Sequence, residues 1–119
     1  MKKILVVDDE FDLLTTWRLV LQMEGYEVST ASNGLLALES ARANPPDLII
    51  TDWMMPLMGG AELCCRMRAQ PDLARVPILV HTSASLPANE GNAWNASLQK
   101  PVPMQLFLTT VGRLCTERR

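Results

Sequence analysis

Three short runs of this chain, ILVV at residues 4–7, LIIT at 48–51 and ILV at 78–80, are apolar or β-branched at consecutive positions rather than at every second one. A strand with one wet face alternates apolar and polar side chains, so a strand without alternation has to be covered on both faces. Helices give that cover in a parallel sheet, because each crossover between strands lays a helix against it. The intervening sequence supplies them. Residues 11–24 put apolar side chains at 13, 14, 17, 20 and 21, with Gly25 as a natural stop. Residues 35–43 lie between Asn33-Gly34 and Pro45-Pro46, residues 62–69 between Gly59-Gly60 and Pro71, and residues 103–115 open on a proline suited to a first helical turn. Further strands are expected at 27–31 and 97–98, with the third run read as a strand over 76–81. The chain is thus expected to be an α/β protein with right-handed βαβ crossovers and helices on both faces of a parallel sheet.

Composition narrows what such a domain can do. The 119 residues suffice for one hydrophobic core, and 48% hydrophobic with 20% charged residues is the balance of an ordinary globule. One domain over 1–119 is expected. The net charge is −2 and the eleven basic residues are scattered, apart from Arg118 and Arg119. Direct nucleic-acid binding and attachment to an anionic membrane are therefore not expected. The apolar run at the start is cut short by Asp8, Asp9 and Glu10, which does not suit an export segment, and no stretch approaches the ~18 apolar residues of a membrane span. A cytoplasmic location follows as an expectation. Cys64, Cys65 and Cys115 show neither CxxC nor Cys/His metal spacing and are read as reduced, buried, inert thiols.

In an open parallel sheet, ligands bind at the carboxyl ends of the strands. Asp8 and Asp9 end the first strand, Asp52 the third and Thr82 the fourth, while Lys100 follows the fifth. Four segments thus bring five polar residues to one rim. Asp8 and Asp9 alone would suit a helix cap, Thr82 a strand-end hydroxyl and Lys100 a surface charge; their joint placement is what points elsewhere. Three close carboxylates raise one another's pKa, and Mg²⁺, a hard cation that takes one or two carboxylates together with waters and phosphate oxygens, relieves the conflict. With Lys100 as a second positive charge, an oxygen of Asp52 can attack phosphorus and form an acyl phosphate.

At these residues the chain resembles the receiver domain of response regulators in bacterial two-component signalling. The matching pieces are ILVVDDE (4–10), LIITDWMMPLMGG (48–60), PILVHTS (77–83) and LQKP (98–101), in order over nearly the whole chain. The resemblance implies a doubly wound, flavodoxin-like receiver fold with five parallel strands in the order 2-1-3-4-5. It implies Asp52 as phosphoacceptor, and Asp8, Asp9, Asp52 and the backbone carbonyl of Met54 as the Mg²⁺ ligands. It further implies Thr82 and Lys100 as phosphoryl-binding residues, and Pro101 in a cis-favouring loop position. A histidine kinase or histidine phosphotransfer protein would be the donor, and an unspecified downstream protein the recipient of the signal. Such a domain catalyses its own phosphorylation and helps its own hydrolysis, and is not a metabolic enzyme.

The chain also departs from that pattern. Ser97 stands where the family usually has an aromatic residue that swings inward on phosphorylation, and Ser83 where a small alanine is usual. Thr82 and Lys100 are 18 residues apart, a spacing shorter than the family's by about one helical turn of ~3.6 residues. With Pro87 and Gly91 between them, a fourth helix over 83–97 is expected to be shortened or irregular, so the signal would leave by an unusual route. His81, next to Thr82 on an alternating strand, should point away from the rim as a packed or partly exposed residue. Trp53 either flanks the site or covers apolar surface, and Met54, Met55 and Met58 read as loop packing or as a Met-rich partner patch. Two rival functions stand beside the leading one. A phosphorylation-independent interaction module of receiver shape would need none of the carboxylates. A phosphohydrolase working through an aspartyl phosphate wants a second Asp two residues after the nucleophile, where this chain has Met54.

Overall fold

The computed structural model describes residues 1–89 and 93–116; Gly91 and the Arg118–Arg119 pair lie outside them. The chain runs β1 (Lys3–Val7), α1 (Phe11–Met23), β2 (Glu27–Ala31), α2 (Gly34–Ala43), β3 (Leu48–Thr51), α3 (Gly60–Arg68), β4 (Ile78–Thr82), β5 (Ala96–Gln99) and α4 (Met104–Thr116). The strands form one sheet in the order β2-β1-β3-β4-β5, and every neighbouring pair is parallel. This is the α/β parallel sheet that the sequence patterns imply, in the doubly wound, flavodoxin-like order that the family resemblance implies.

The uninterrupted apolar strands explain the two cores. Leu5, Val7, Ile49, Ile78 and Val80 face α2 and α3, where they meet Ala37, Leu38, Ala41, Leu63 and Met67. Their neighbours Ile4, Val6, Leu48, Ile50 and Leu79 face α1 and α4, against Leu14, Trp17, Leu21, Phe107, Val111 and Leu114. Because side chains alternate across a strand, each apolar run feeds both cores, and neither face can slip register without exposing its set. Every residue of β3 and β4 is buried.

The expected boundaries move by one or two residues where local chemistry decides. Asn33 caps α2, its side-chain oxygen accepting from Leu36 N at 2.9 Å, so the helix starts at Gly34. The third helix begins at Gly60, two residues early, because Gly59 takes the extended N-cap conformation. Asp8 and Asp9 are not caps of α1; that position falls to Glu10, whose side chain makes no capping bond.

The expected irregularity after β4 is complete among the described residues: none from 83 to 89 or from 93 to 95 is helical. Trp94 fills the space as a single plug, with 8% of its surface exposed. The Asn89 side chain donates to Trp94 O at 2.8 Å and accepts from Trp94 N at 3.3 Å. Asn95 ties the next residue to β4: its N–H donates to Ile78 O, and its side-chain oxygen accepts from Ile78 N and from Arg68, all at 2.8 Å.

The cysteines correct one expectation. All three are free, and Cys64 and Cys115 are buried, but Cys65 is exposed, one position round α3 from the core-facing side. Burial raises the thiols of Cys64 and Cys115 to about 11, which keeps them protonated and unreactive at neutral pH.

Candidate functional site

The carboxyl ends of β1, β3 and β4 open onto one acidic cleft. Asp8 follows β1 and is held there by backbone pairing, its N–H donating to Ala31 O. Asp52 follows β3 in the same way, its N–H donating to Val7 O at 3.0 Å. Carboxylate oxygens of Asp8, Asp9 and Asp52 lie within 4.8 Å of one another, with Asp8 and Asp52 buried and Asp9 exposed. Thr82, the last residue of β4, is buried at the same rim, where its hydroxyl favours the ionised form of Asp52. Thr82 Oγ1 accepts from Ala84 N at 3.2 Å.

Lys100 closes the cleft. The Lys100–Pro101 peptide is cis, and the lysine N–H donates to Thr82 O at 3.0 Å, fixing the residue beside the end of β4. Its ammonium donates to Asp8 Oδ2 at 2.9 Å and to Asp52 Oδ2 at 3.1 Å, and lies 3.5 Å from Glu10 Oε1. Glu10 was not among the expected site residues, although it follows Asp9 directly. The other Asp52 oxygen, Oδ1, accepts from the next residue's backbone, Trp53 N, at 2.6 Å, and Asp8 Oδ1 accepts from Glu10 N at 3.0 Å.

The electrostatics depart from simple mutual repulsion among acids. Burial is the main reason Asp8 is raised above the usual carboxylate range; the Glu10 N–H and Lys100 oppose it, and the Asp52 charge is the smallest contribution. Burial also pushes Asp52 up, but the Thr82 hydroxyl, Lys100 and the Trp53 N–H together outweigh it and hold Asp52 below its ordinary value. Lys100 gives up stability to burial yet is raised, because Asp8 and Asp52 both bind its charged form. The cleft therefore holds an ionised Asp52 beside a charged lysine.

A hard divalent cation suits this donor set, which offers three carboxylates at one partly desolvated rim and no soft ligand. Asp8, Asp9 and Asp52 are the residues present to hold it. Met54 lies two residues beyond Asp52 in the following loop, with its side chain exposed. The Met cluster divides: Met58 is buried, Met55 packs partly against the core, and only Met54 projects into solvent.

His81 faces away from the cleft, as the strand alternation predicts. It is buried against Trp17 and Phe107, with ring centroids at 5.7 Å from each, and its Nε2 has no partner. Burial, aided by the Lys100 charge, lowers its pKa to about 4, so it is a neutral core residue at physiological pH. Trp53 is half-buried and meets Trp94 edge to face at 5.3 Å. Nothing in the pattern of the sequence marks Trp94, which stands among breaker residues outside any helix.

A family model for the response regulator receiver domain matches residues 4–111. The alkaline phosphatase synthesis transcriptional regulatory protein PhoP of Bacillus subtilis is 45% identical over 82 residues, which are 69% of this chain and 33% of that protein. The phosphate regulon transcriptional regulatory protein PhoB of Rhizobium meliloti is 42% identical over 83 residues, 70% of this chain and 37% of that protein. The chain spans about a third of the length of these two regulators. The polar-differentiation response regulator DivK of Brucella anthropi is matched almost end to end, at 27% identity over 92% of this chain and 93% of that protein. Among solved structures, the chemotaxis response regulator CheY4 of Vibrio cholerae superposes with a TM-score of 0.88 at 36% identity, covering 96% of this chain and 98% of that one. The receiver domain of the sensor histidine kinase PA1611 of Pseudomonas aeruginosa, with a magnesium ion coordinated in its active-site cleft, gives 0.85 at 28% identity, covering 96% and 97%. Fold, cleft and sequence agree: the chain belongs to the response regulator receiver family of two-component signalling.

Proposed function

We propose that this receiver domain, over residues 1–119, takes its phosphoryl group on Asp52, from a phosphohistidine of a histidine kinase or phosphotransfer protein. One observation carries the assignment. Asp52 accepts from Trp53 N on one carboxylate oxygen and from Lys100 on the other, and these two groups with the Thr82 hydroxyl hold it below its ordinary pKa.

The step is a transfer between two nucleophiles. A carboxylate oxygen of Asp52 forms a bond to phosphorus while the phosphorus–nitrogen bond of the donor breaks; the electron pair stays on the imidazole nitrogen, which takes up a proton. Lys100, already 3.1 Å from Asp52 Oδ2, is placed to follow the charge onto a phosphoryl oxygen. Thr82, whose hydroxyl faces Asp52 at the same rim, offers it to a second phosphoryl oxygen. Asp8, Asp9, Asp52 and the Met54 carbonyl would hold Mg²⁺, which when bound supplies charge neutralisation at the phosphoryl oxygens. Lys100 bridges Asp8 and Asp52, so these two acids share their counter-charge with any ion that enters. Hydrolysis of the acyl phosphate by water then resets Asp52.

A phosphorylation-independent interaction module gains nothing from a buried acidic cleft, which costs stability unless it binds something. The phosphohydrolase reading lacks its acid, since the exposed thioether of Met54 carries no exchangeable proton. A location in the cytoplasm, where kinases of this type present their phosphohistidine, is part of the same reading; among the described residues no helix is long and apolar enough to cross a membrane.

The test is incubation of the chain with Mg²⁺ and acetyl phosphate, followed by intact mass. One added phosphoryl group, absent in Asp52→Asn, is the expected result. No adduct on the wild-type chain contradicts the proposal, and rapid multiple turnover of the donor would instead favour a hydrolase.

A further inference from the structure

The peptide joining Asp52 to Trp53 is gripped from several sides. The Thr51 hydroxyl donates to Asp52 O at 2.8 Å, and Gly60 N donates to Trp53 O at 2.9 Å. Gly60 presses so closely that a Cβ there would lie 2.6 Å from Asp52 O and 2.9 Å from Trp53 Cα. These contacts hold the backbone on the α3 side. The Trp53 ring carries this grip outward: Cε3 lies over Gly60, 3.2 Å from where a Cβ would stand, and the ring rests edge to face against Trp94 at 5.3 Å. Trp94 is a fixed wall, because Asn89 bonds its own N–H and C=O while Asn95 anchors the following residue to Ile78 and Arg68.

The consequence lies at Asp52 Oδ1. This oxygen accepts from Trp53 N at 2.6 Å, so the orientation of that N–H sets the rotation of the carboxylate and leaves Oδ2 turned toward Lys100. We propose that Trp94 is a positioning residue for the phosphoacceptor: it seats the Trp53 ring, and the seated Trp53 N–H aims the Asp52 carboxylate. The inference rests on the reading of Asp52 as phosphoacceptor. It assigns a task to the described residues between β4 and β5, none of which is helical. Coupling of this kind is reciprocal, so a group added at Asp52 is felt at Trp94 and at the Asn89 bonds that hold it.

The test compares Trp94→Ala and Trp94→Phe with the wild-type chain in Mg²⁺ and acetyl phosphate. Misaiming a reacting group costs rate and not donor affinity, so Trp94→Ala is expected to lower the maximal phosphorylation rate by about tenfold with donor half-saturation unchanged. Trp94→Phe keeps an aromatic edge for Trp53 and is expected to stay within about threefold of wild type. The second readout, which a purely structural role would not move, is the Trp53 amide proton in the unphosphorylated protein, its shift corrected for the ring current lost with the indole. It should resonate far downfield in wild type and Trp94→Phe, and move upfield in Trp94→Ala as the short bond lengthens. A folded Trp94→Ala with wild-type rate and an unmoved Trp53 amide overturns the inference. Should Trp94→Ala not fold, Trp94→Leu replaces it under the same criteria. A wild-type chain that takes no phosphoryl group defeats the phosphoacceptor reading alone, since the amide shift still decides whether Trp94 aims Asp52.

Discussion

The ammonium of Lys100 lies 3.1 Å from Asp52 Oδ2 across 48 residues of sequence, and the cleft is built around that contact. The lysine supplies part of the positive charge that the three carboxylates need, and a divalent cation would supply the rest. Several measurable consequences follow from this division of charge.

Asp8 is buried and raised above its ordinary pKa, mostly by burial. A carboxyl raised on folding stabilises the fold below its unfolded pKa and loses that contribution as pH rises through the folded value, so at neutral pH its ionised form is a burden. Asp8→Asn is therefore expected to melt a few degrees higher than wild type without metal, by calorimetry at pH 7. The same variant should lose the rise in melting temperature that Mg²⁺ gives the wild type. A variant that melts lower in the absence of metal would show that the charge of Asp8 helps to hold the cleft together.

Gly60→Ala tests the packing beneath the acceptor. Its Cβ would meet backbone atoms of Asp52 and Trp53, at 2.6 and 2.9 Å, and backbone cannot rotate away. The expected loss is about 2 kcal/mol in urea unfolding, with a fall in phosphorylation rate that exceeds that of a comparably destabilised core variant such as Leu21→Ala. Equal rates in the two variants would mean that the clash is relieved away from Asp52.

Thr82 contributes one hydroxyl, so its removal and its retention can be separated. Thr82→Ala should slow phosphorylation by tenfold or more and raise the pKa of Asp52, while Thr82→Ser restores most of both. The measurements are the rate with acetyl phosphate and the carboxyl titration of Asp52 followed by NMR.

His81 predicts the acid limb of stability. Its pKa is lowered to about 4 in the fold, by burial first and Lys100 second, against 6.5 when exposed. The contribution is complete above pH 6.5 and lost as pH falls from there toward 4, because the unfolded chain binds the proton that the core refuses. The shift corresponds to about 3 kcal/mol, most of it gone by pH 4.5. His81→Leu is expected to lose less stability than wild type between pH 7.5 and 4.5 in urea titrations; parallel losses would assign the acid limb to other groups.

The parallel sheet and the cleft were legible because both follow from simple rules, while the strand order was implied by the family resemblance. Apolar runs without alternation, such as Ile4–Val7, demand cover on two faces, and residues that end parallel strands share one rim. Asp8, Asp9, Asp52, Thr82 and Lys100 do meet there. What could not be read was set by contacts distant in sequence. Trp94 belongs to no periodic pattern, and its burial depends on Trp53, Asn89 and the anchor at Asn95. Cys65 looked like its neighbour Cys64 until the helix phase of α3 put them on different sides. The depressed pKa of Asp52 likewise reverses what three nearby acids suggest, since hydroxyl, ammonium and backbone N–H converge on one carboxylate.

Locating the phosphoryl group tests the account most directly. After reaction with acetyl phosphate in Mg²⁺, borohydride cleaves an acyl phosphate and converts the modified aspartate to homoserine, and peptide mass mapping reads its position. The account predicts homoserine at position 52 and nowhere else, in a reaction that chelation of Mg²⁺ suppresses. Reduction at position 8 or 9, or full modification in the presence of excess chelator, would contradict it.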